Sequence, residues 1–324
     1  MIKPPPRILL HNDTTDKMAE RLRHIAPDAQ IACCQSYADL PAKLAEFKPD
    51  VAYSICFKGR AGFPREALLG PDGPEWIAVG GSGVDHLAPW DEAKMTVTNS
   101  AGVAAPMMAE YVFGTVLHFT LDIAGLEADR AGQHWRSGRL MTPLRGKTIL
   151  IVGLGHTGQA VAARAKAFGM TVIGTRARPK EMENVDEVHA SNDLAQLWHR
   201  ADVVVLSVPL LPTTHSLMNA HAFALMKDTA ILVDVSRGGV LDTAALTNAM
   251  RHGAIAGAAI DVFETEPLPF DSPLWGLENV IISPHCSSVY AEWADDSFTL
   301  FLENLARWRK GGALENIVSP ARGY

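Results

Sequence analysis

The stretch that most constrains this chain is a glycine-rich turn between an apolar strand and a helix. Thr148–Val152 is a continuous run of apolar and β-branched residues, typical of a parallel strand buried on both faces. Gly153, Gly155 and Gly158 follow with the spacing G-x-G-x-x-G. The first glycine permits a tight turn, the second lets a pyrophosphate approach the backbone, and the third lets helix pack on strand. The helix expected over residues 157–168 would present free N–H groups to a phosphate, so the stretch predicts dinucleotide binding.

The end of the next expected strand, residues 170–175, bears on which dinucleotide binds. A site for NAD usually carries an acidic residue about 20 positions after the glycines. Here Thr175, Arg176 and Arg178 occupy that region and no carboxylate does. Because a planar guanidinium suits a phosphate, this pattern predicts a 2′-phosphate and therefore NADP(H), with NAD(H) as the second candidate. The alternative is that the two arginines are solvated loop charges.

Length and composition describe a globular chain with room for two domains. The chain has 324 residues, of which 48% are apolar and 20% charged. Its net charge of −7 argues against a nucleic-acid partner. The four cysteines lack C-x-x-C spacing, so we expect a reduced chain without a metal site. The N-terminus shows no signal-peptide pattern and no uncharged apolar run reaches about 18 residues, so we expect a cytoplasmic protein without a membrane partner.

Strands and helices alternate along the rest of the chain, which predicts parallel sheets covered by helices. Because a glycine fingerprint normally opens its own sheet, the residues before it are expected to form a separate domain. In that domain we expect strands at 7–10, 31–34, 51–55, 76–79 and 96–98, and helices at 14–25 and 37–47. After the fingerprint we expect strands at 202–208, 229–235, 256–262 and 280–282, and helices at 220–227, with Asn219 as N-cap, and at 242–251.

Two features precede the fingerprint. The loop from Gly80 to Gly83 follows an expected strand, and its backbone N–H groups can face an anion; a flexible turn is the alternative. A helix expected to run from Pro106 to about Arg130 is apolar on most faces. Such a helix must be covered by another domain or a second subunit, so we expect a homodimer.

Three reactive residues, Arg237, Glu266 and His285, each come shortly after an expected strand. Open α/β sheets bind ligands beyond the carboxyl ends of their strands. Reduction of a 2-oxo acid needs a cation for its carboxylate and carbonyl, an acid to protonate the new alkoxide, and a carboxylate to orient that acid. Singly, the arginine could cap a helix, the glutamate could be a surface residue and the histidine could be a satisfied loop residue. Their common placement favours catalysis.

With these motifs the chain resembles the D-isomer-specific 2-hydroxyacid dehydrogenases over nearly its whole length, most closely the glyoxylate/hydroxypyruvate reductase branch. In that branch, arginines after the second strand accompany NADPH preference. The matching segments are GGSGVDHL (80–87), VGLGHTGQ (152–159), SVPLLPTTHSLMN (207–219), ILVDVSRGGVLD (231–242), AAIDVFETEPLPFDSPLW (258–275) and ISPHCSS (282–288). The resemblance implies an α/β fold with two doubly wound parallel-sheet lobes. A Rossmann cofactor domain, residues 101–287, is inserted into a flavodoxin-like substrate domain, residues 1–100 and 288–324.

The resemblance also implies roles for individual residues. Arg237 matches the substrate-binding arginine, His285 the proton donor and acceptor, and Glu266 its carboxylate partner. Ser82 and Gly83 match a loop whose backbone amides hold the substrate carboxylate. The positions implied to contact the cofactor are Gly153, Gly155, His156, Thr157, Gly158, Thr175, Arg176, Arg178, Val208, Pro209, Thr213, Val235, Ser236, Arg237, Asp261, His285 and Ser287.

Four further positions qualify the resemblance. Asp261 matches the aspartate that binds the nicotinamide carboxamide. Asp234 stands where many relatives have asparagine, so the local charge is expected to differ from theirs. Glu266 in place of glutamine argues against a formate dehydrogenase. In the last helix, Phe298 begins a stripe of apolar residues, and the family fold returns this helix to the first lobe.

The sequence therefore predicts an NADPH-preferring reductase of small 2-oxo acids, glyoxylate or hydroxypyruvate, that forms D-2-hydroxy acids by hydride transfer. A dehydrogenase for a larger 2-oxo acid is the alternative among enzymes. Residues 55–60 are expected to wall the side-chain pocket, and the sequence does not define its size. Outside enzymes, the alternative is a nicotinamide-sensing interaction protein, which the retention of Arg237, Glu266 and His285 disfavours.

Overall fold

The computed structural model describes residues 5–57 and 61–320, and the chain divides into two compact units. The first unit comprises Met1–Val103 and Ala291–Tyr324, and the second comprises Ala104–Tyr290. Each unit contains one wholly parallel sheet, which confirms the predicted α/β fold class. Of the loop expected to wall the side-chain pocket, residues 58–60 lie outside the described residues.

The first unit has a five-stranded sheet in the order β2-β1-β3-β4-β5. Its elements are β1 (Arg7–His11), α1 (Asp16–Ile25), β2 (Gln30–Cys34), α2 (Leu40–Phe47), β3 (Val51–Ser54), α3 (Arg65–Leu69), β4 (Trp76–Val79) and β5 (Thr96–Thr98). This order is the flavodoxin-like one. The central strands β3 and β4 are buried along their whole length, which explains their continuous apolar character.

The second unit has a seven-stranded sheet in the order β12-β11-β10-β9-β6-β7-β8. Its elements are α4 (Ala105–Thr120), α5 (Ile123–Ala131), β6 (Thr148–Val152), α6 (His156–Ala167), β7 (Thr171–Arg176), β8 (Glu187–Ala190), β9 (Val203–Leu206), α7 (Ala220–Leu225), β10 (Ile231–Asp234), α8 (Thr243–Arg251), β11 (Gly257–Ile260) and β12 (Val280–Ile282). This is the Rossmann order, extended by one strand. The strand order reverses at β6, and ligands bind at such a switch point.

The C-terminal helix α9 (Trp293–Arg309) belongs to the first unit. Its buried stripe packs against residues of β1, β3 and β4 in one apolar cluster. Within this helix Ser297 is fully buried, and its hydroxyl donates to the Gly80 carbonyl over 2.7 Å. The stripe consists of Phe298, Phe301, Leu302, Leu305 and Trp308.

The long helix expected from Pro106 to Arg130 is wrong, because two helices occupy this region. Asp122 lies between them with a φ of 49°, in the left-handed region, and its side chain accepts a hydrogen bond from the Gly125 amide. Aspartate tolerates this conformation and caps helices well. The first helix, α4, packs against α6 in one apolar cluster of the second unit. Its apolar character therefore does not require a second subunit.

Most other elements have the expected type, but several are shorter. The strands expected at 202–208, 229–235 and 256–262 end at Leu206, Asp234 and Ile260, and the residues beyond form loops. Asn219 caps α7 as predicted, since its side chain accepts from two amides of the first turn. The sequence missed α3 and β8. Within the described ranges, 5–57 and 61–320, no helix has both the length and the apolarity needed to cross a bilayer.

Candidate active site

The glycine turn after β6 contains glycines of two kinds. A Cβ on Gly153, whose φ is 103°, would lie 2.6 Å from the Ser207 carbonyl oxygen, and one on Gly158 would lie 2.1 Å from the Gly153 oxygen. Both glycines are therefore required by contacts within the protein. A Cβ on Gly155 would meet nothing within 4 Å. The open space beside Gly155, at the start of α6, fits the approach of a dinucleotide pyrophosphate.

The residues expected at the 2′-phosphate follow or end β7. Thr175 is only 1% exposed, and its carbonyl accepts hydrogen bonds from the amides of Gly153 and Leu154, so it holds the glycine turn. Arg176 is half-buried, and its Nη1 lies 3.3 Å from the sulfur of Met182. Arg178 is exposed. One guanidinium thus ends the strand next to the glycine turn, and a second lies two residues beyond it.

The loop after β9 packs on the same turn. The Ser207 hydroxyl donates to the Gly153 carbonyl over 2.8 Å, and Val208 and Pro209 follow it directly. The Thr214 hydroxyl closes the loop, because it donates to the Pro209 carbonyl and accepts from the Leu211 amide. Thr213, the residue expected at the cofactor, is exposed. The sequence interpretation missed Thr214, whose hydroxyl closes the loop.

The loops after β10 and β11 lie against each other. A Cβ on Gly238 would lie 2.0 Å from the Phe263 carbonyl oxygen, so only glycine permits this approach. Arg237, next to it, is half-buried, and its Nη1 donates to the Ser236 carbonyl over 2.8 Å. In the facing loop, Glu266 Oε1 accepts from the Phe263 amide over 3.0 Å. Residues 236–237 and Glu266 are thereby held at one edge of the sheet.

His285 and Glu266 form a hydrogen-bonded pair, with 2.9 Å between Nδ1 and Oε2. The carboxylate selects the tautomer with hydrogen on Nδ1 and leaves Nε2 to exchange a proton. His285 has a φ of 50°, a left-handed conformation that is uncommon for a residue other than glycine and is often found at functional sites. Its amide donates to the Asp261 carbonyl over 2.9 Å, which helps to hold this conformation.

Asp261 anchors the whole loop that carries His285. Its Oδ1 accepts from the Ser283 hydroxyl at 2.5 Å and from the Cys286 amide at 2.9 Å, while Oδ2 accepts from the Ser287 amide at 3.0 Å. Asp261 is 1% exposed. The resemblance assigned it to the nicotinamide carboxamide; the structure adds this anchoring, which sequence reasoning missed.

Tyr111 and Ser283 extend this network and were also missed. The Tyr111 hydroxyl lies 2.7 Å from the Ser283 oxygen, and burial raises the pKa of Tyr111 to about 12. The tyrosine therefore stays neutral at physiological pH and can donate to Ser283. The available signal was a tyrosine hydroxyl in a run of mostly apolar residues of α4.

In the glycine loop of the first unit, two carbonyl groups accept hydrogen bonds from neighbouring residues. The Gly81 carbonyl accepts from the Ser100 amide, and the Ser82 carbonyl accepts from the Asn99 side chain. Within the part of the chain that the structure describes, the amides of Ser82 and Gly83 donate to no acceptor. In the same part, no cluster of three His, Cys, Asp or Glu side chains could hold a metal ion.

Residues 113–287 match the family model for the NAD-binding domain of D-isomer specific 2-hydroxyacid dehydrogenases. The chain belongs to this family. As a 2-hydroxyacid dehydrogenase it is an NAD(P)-dependent oxidoreductase, which confirms the resemblance seen in the sequence and the enzyme class. The cofactor fits the structure, since the open position at Gly155 lies where the pyrophosphate would approach.

Relatives of known name support the family. The chain is 37% identical over 235 residues to glyoxylate reductase from Aeropyrum pernix, and this match covers 69% of each protein. It is also 37% identical over 247 residues to D-3-phosphoglycerate dehydrogenase from Methanocaldococcus jannaschii, covering 75% of this chain and 47% of that protein. A D-isomer specific 2-hydroxyacid dehydrogenase from Xanthobacter autotrophicus, crystallised with NADPH and MES, is similar with a TM-score of 0.82. Its identity is 29%, over 99% of this chain and all of that one.

The two kinds of glycine predict that the same substitution weakens cofactor binding at one position and lowers stability at the other. We expect Gly155→Ala to unfold at nearly the wild-type temperature but to bind NADPH at least about tenfold more weakly, since the methyl group enters the ligand's space. We expect Gly158→Ala to lose on the order of 3 kcal/mol of unfolding free energy, because its Cβ meets a backbone oxygen. Thermal unfolding and fluorescence titration with NADPH measure both. Equal effects of the two variants would contradict this division.

Proposed function

We propose that this dehydrogenase reduces glyoxylate or hydroxypyruvate to the D-2-hydroxy acid and prefers NADPH. The observation that carries the proposal is the His285–Glu266 pair, held at the same sheet edge as Arg237 and the glycine turn. Acid, orienting carboxylate and cation are the groups that reduction of a 2-oxo acid requires. The Aeropyrum pernix relative named glyoxylate reductase supports this substrate class.

Three residues have a defined task in this proposal. The Arg237 guanidinium binds the substrate carboxylate and polarises the carbonyl, which suits its planar set of donors. Protonated His285 gives a proton to the carbonyl oxygen as it becomes a hydroxyl. Glu266, through the 2.9 Å contact with Nδ1, orients the ring and stabilises the imidazolium before this transfer. The nicotinamide, when bound, supplies the hydride.

The amides of Ser82 and Gly83 are proposed as further donors to the substrate carboxylate. The neighbouring carbonyls of Gly81 and Ser82 accept hydrogen bonds from Ser100 and Asn99, which fixes the loop backbone. A fixed loop whose amides have no acceptor in the described chain suits an anion, because successive N–H groups form an anion-binding concavity.

A dehydrogenase for a larger 2-oxo acid is the second candidate. The match to D-3-phosphoglycerate dehydrogenase, at the same 37% identity, favours it. Assays with 3-phosphohydroxypyruvate beside glyoxylate, at equal concentrations of NADPH, separate the two candidates. A kcat/KM that is higher for the phosphorylated substrate would favour the second.

We expect His285→Ala and Arg237→Ala to reduce kcat/KM for glyoxylate by about 10³-fold or more, while the unfolding temperature stays near that of the wild type. Loss of a positioned proton donor or of the carboxylate's cation removes several kcal/mol of transition-state stabilisation, about 1.4 kcal/mol for each factor of ten. His221→Ala and Arg251→Ala, exposed residues of the same unit, serve as controls. Unchanged turnover by His285→Ala would refute the acid–base assignment.

We expect the double variant Arg176→Ala, Arg178→Ala to lose affinity for NADPH and keep its affinity for NADH. A guanidinium–phosphate contact is charge-assisted, so the ratio of the two dissociation constants should shift by about tenfold or more towards NADH. Lys180→Ala, a neighbouring cation, controls for the general loss of positive charge. A wild type that binds both cofactors equally would show that the arginines are solvated loop charges.

We also propose a homodimer, on the basis of exposed apolar residues in α5 and in the segment that follows it. Ile123 and Leu126 of α5 are partly exposed, and Trp135 and Leu140, after it, are 96% and 93% exposed. Apolar groups that are exposed together mark association sites, and we infer that these four residues form one such surface. Light scattering should show a dimer that Trp135→Ser with Leu140→Ser converts to a monomer. Phe270→Ser, at a fully exposed residue elsewhere, should leave it dimeric; a monomeric wild type would contradict the proposal.

A further inference from the structure

Asp234 is a fully buried carboxyl group whose two oxygens have different surroundings. Its Oδ1 accepts from the Ser236 amide at 2.9 Å and from the Ser236 hydroxyl at 2.5 Å. Its Oδ2 is buried and has no hydrogen-bond partner among the described residues. Since an unpaired buried charge is costly, a proton on Oδ2 is the arrangement that this geometry favours. Burial raises the pKa of Asp234 to about 7, and the nearby Asp261 adds to the shift.

Among the described residues, none of the groups that act on the Asp234 carboxyl carries a positive charge. From β9 the paired residue is the apolar Leu206. From the end of β11 the neighbour is the acid Asp261, whose amide donates to the Asp234 carbonyl over 3.1 Å. Tyr111, from α4, interacts electrostatically with both acids and with Cys286. The nearest cation along the chain is Arg237, in the loop that Ser236 begins.

Asp234 and Asp261 therefore differ in how well each suits a negative charge. Asp261 accepts three hydrogen bonds from the loop that carries His285. Asp234 accepts two, both on one oxygen. Two buried carboxylates at adjacent strand ends repel each other when both are ionised, so the proton goes to the group with fewer donors.

We propose that Asp234 is a positioning residue that works in its neutral form, and that its ionisation weakens substrate anchoring by Arg237. This inference rests on the proposed function. Neutral Asp234 holds the amide and hydroxyl of Ser236, the residue whose carbonyl accepts from the Arg237 guanidinium. An anion at the same place lowers the positive potential available to the substrate carboxylate, and it adds charge beside Asp261.

Asp234→Asn keeps the shape and removes the titration. We expect the ratio of wild-type to variant kcat/KM for glyoxylate with NADPH to be near one at about pH 6 and to fall about fivefold by about pH 8.5, mostly through a rise in the wild-type KM. Asp242→Asn, which exchanges one good N-cap for another at α8, should give a ratio that does not change with pH. A ratio for Asp234→Asn that is equally flat would overturn the proposal.

The pH dependence of thermal unfolding tests, without any substrate, whether Asp234 is protonated in the folded chain. The pKa of Asp234 is raised in the folded chain, from an ordinary 3.8 to about 7, so the unfolded chain loses the proton first. The wild type should therefore lose stability relative to Asp234→Asn as pH rises from about 4 to about 7, and no further above that. A stability difference that is constant with pH would overturn the proposal. If neither protein reduces any 2-oxo acid, the proposed function fails, and the stability difference still decides whether Asp234 holds a proton.

Discussion

The arrangement of the site depends on the carboxylate of Asp261. It accepts hydrogen bonds from Ser283, Cys286 and Ser287, so a loop that begins beyond β12 is tied to the end of β11. The Asp261 carbonyl also accepts from the His285 amide, although that residue has an unfavourable left-handed φ. Because the backbone of the His285 loop is held at several points, the imidazole ring is already positioned to contact Glu266 of the neighbouring loop. One buried acid thus fixes the position of the His285 loop, and acid–base catalysis requires a group fixed in this way.

Much of the fold follows from hydrophobic pattern alone. The strands at Trp76–Val79, Thr96–Thr98 and Val280–Ile282 have the expected limits, because each is a short apolar or β-branched run beside turn residues. The strand Glu187–Ala190 was missed since it lies at the edge of its sheet, is only half-buried, and has four residues of which Val188 alone is a bulky apolar one. The break at Asp122 depends on one backbone conformation and one side-chain cap, which periodicity does not detect.

The sequence predicted the residues of the candidate site but not the contacts that support them. Arg237, Glu266 and His285 were predicted to share one edge of the sheet because parallel strands present their carboxyl ends there, and their catalytic roles stay a prediction. The supporting contacts were not predictable in the same way. The bond from Ser283 to Asp261 joins residues on different strand ends, and the contact of Tyr111 with Ser283 joins a helix to a loop. Such contacts depend on side-chain packing in three dimensions, and residue type alone does not distinguish Asp261 as an anchor from Asp261 as a ligand.

The two acids at adjacent strand ends show how a buried carboxyl can be tolerated beside the loop that carries His285. Both are almost fully buried, so solvent stabilises neither charge. The number of hydrogen-bond donors decides the outcome: Asp261 has three, spread over both oxygens, and Asp234 has two on one oxygen. A protonated carboxyl has nearly the shape of the asparagine that the resemblance implies at position 234. The substitution therefore changes the proton content of the site more than its geometry, and the same fold can acquire a titrating group without rebuilding the loop of Arg237.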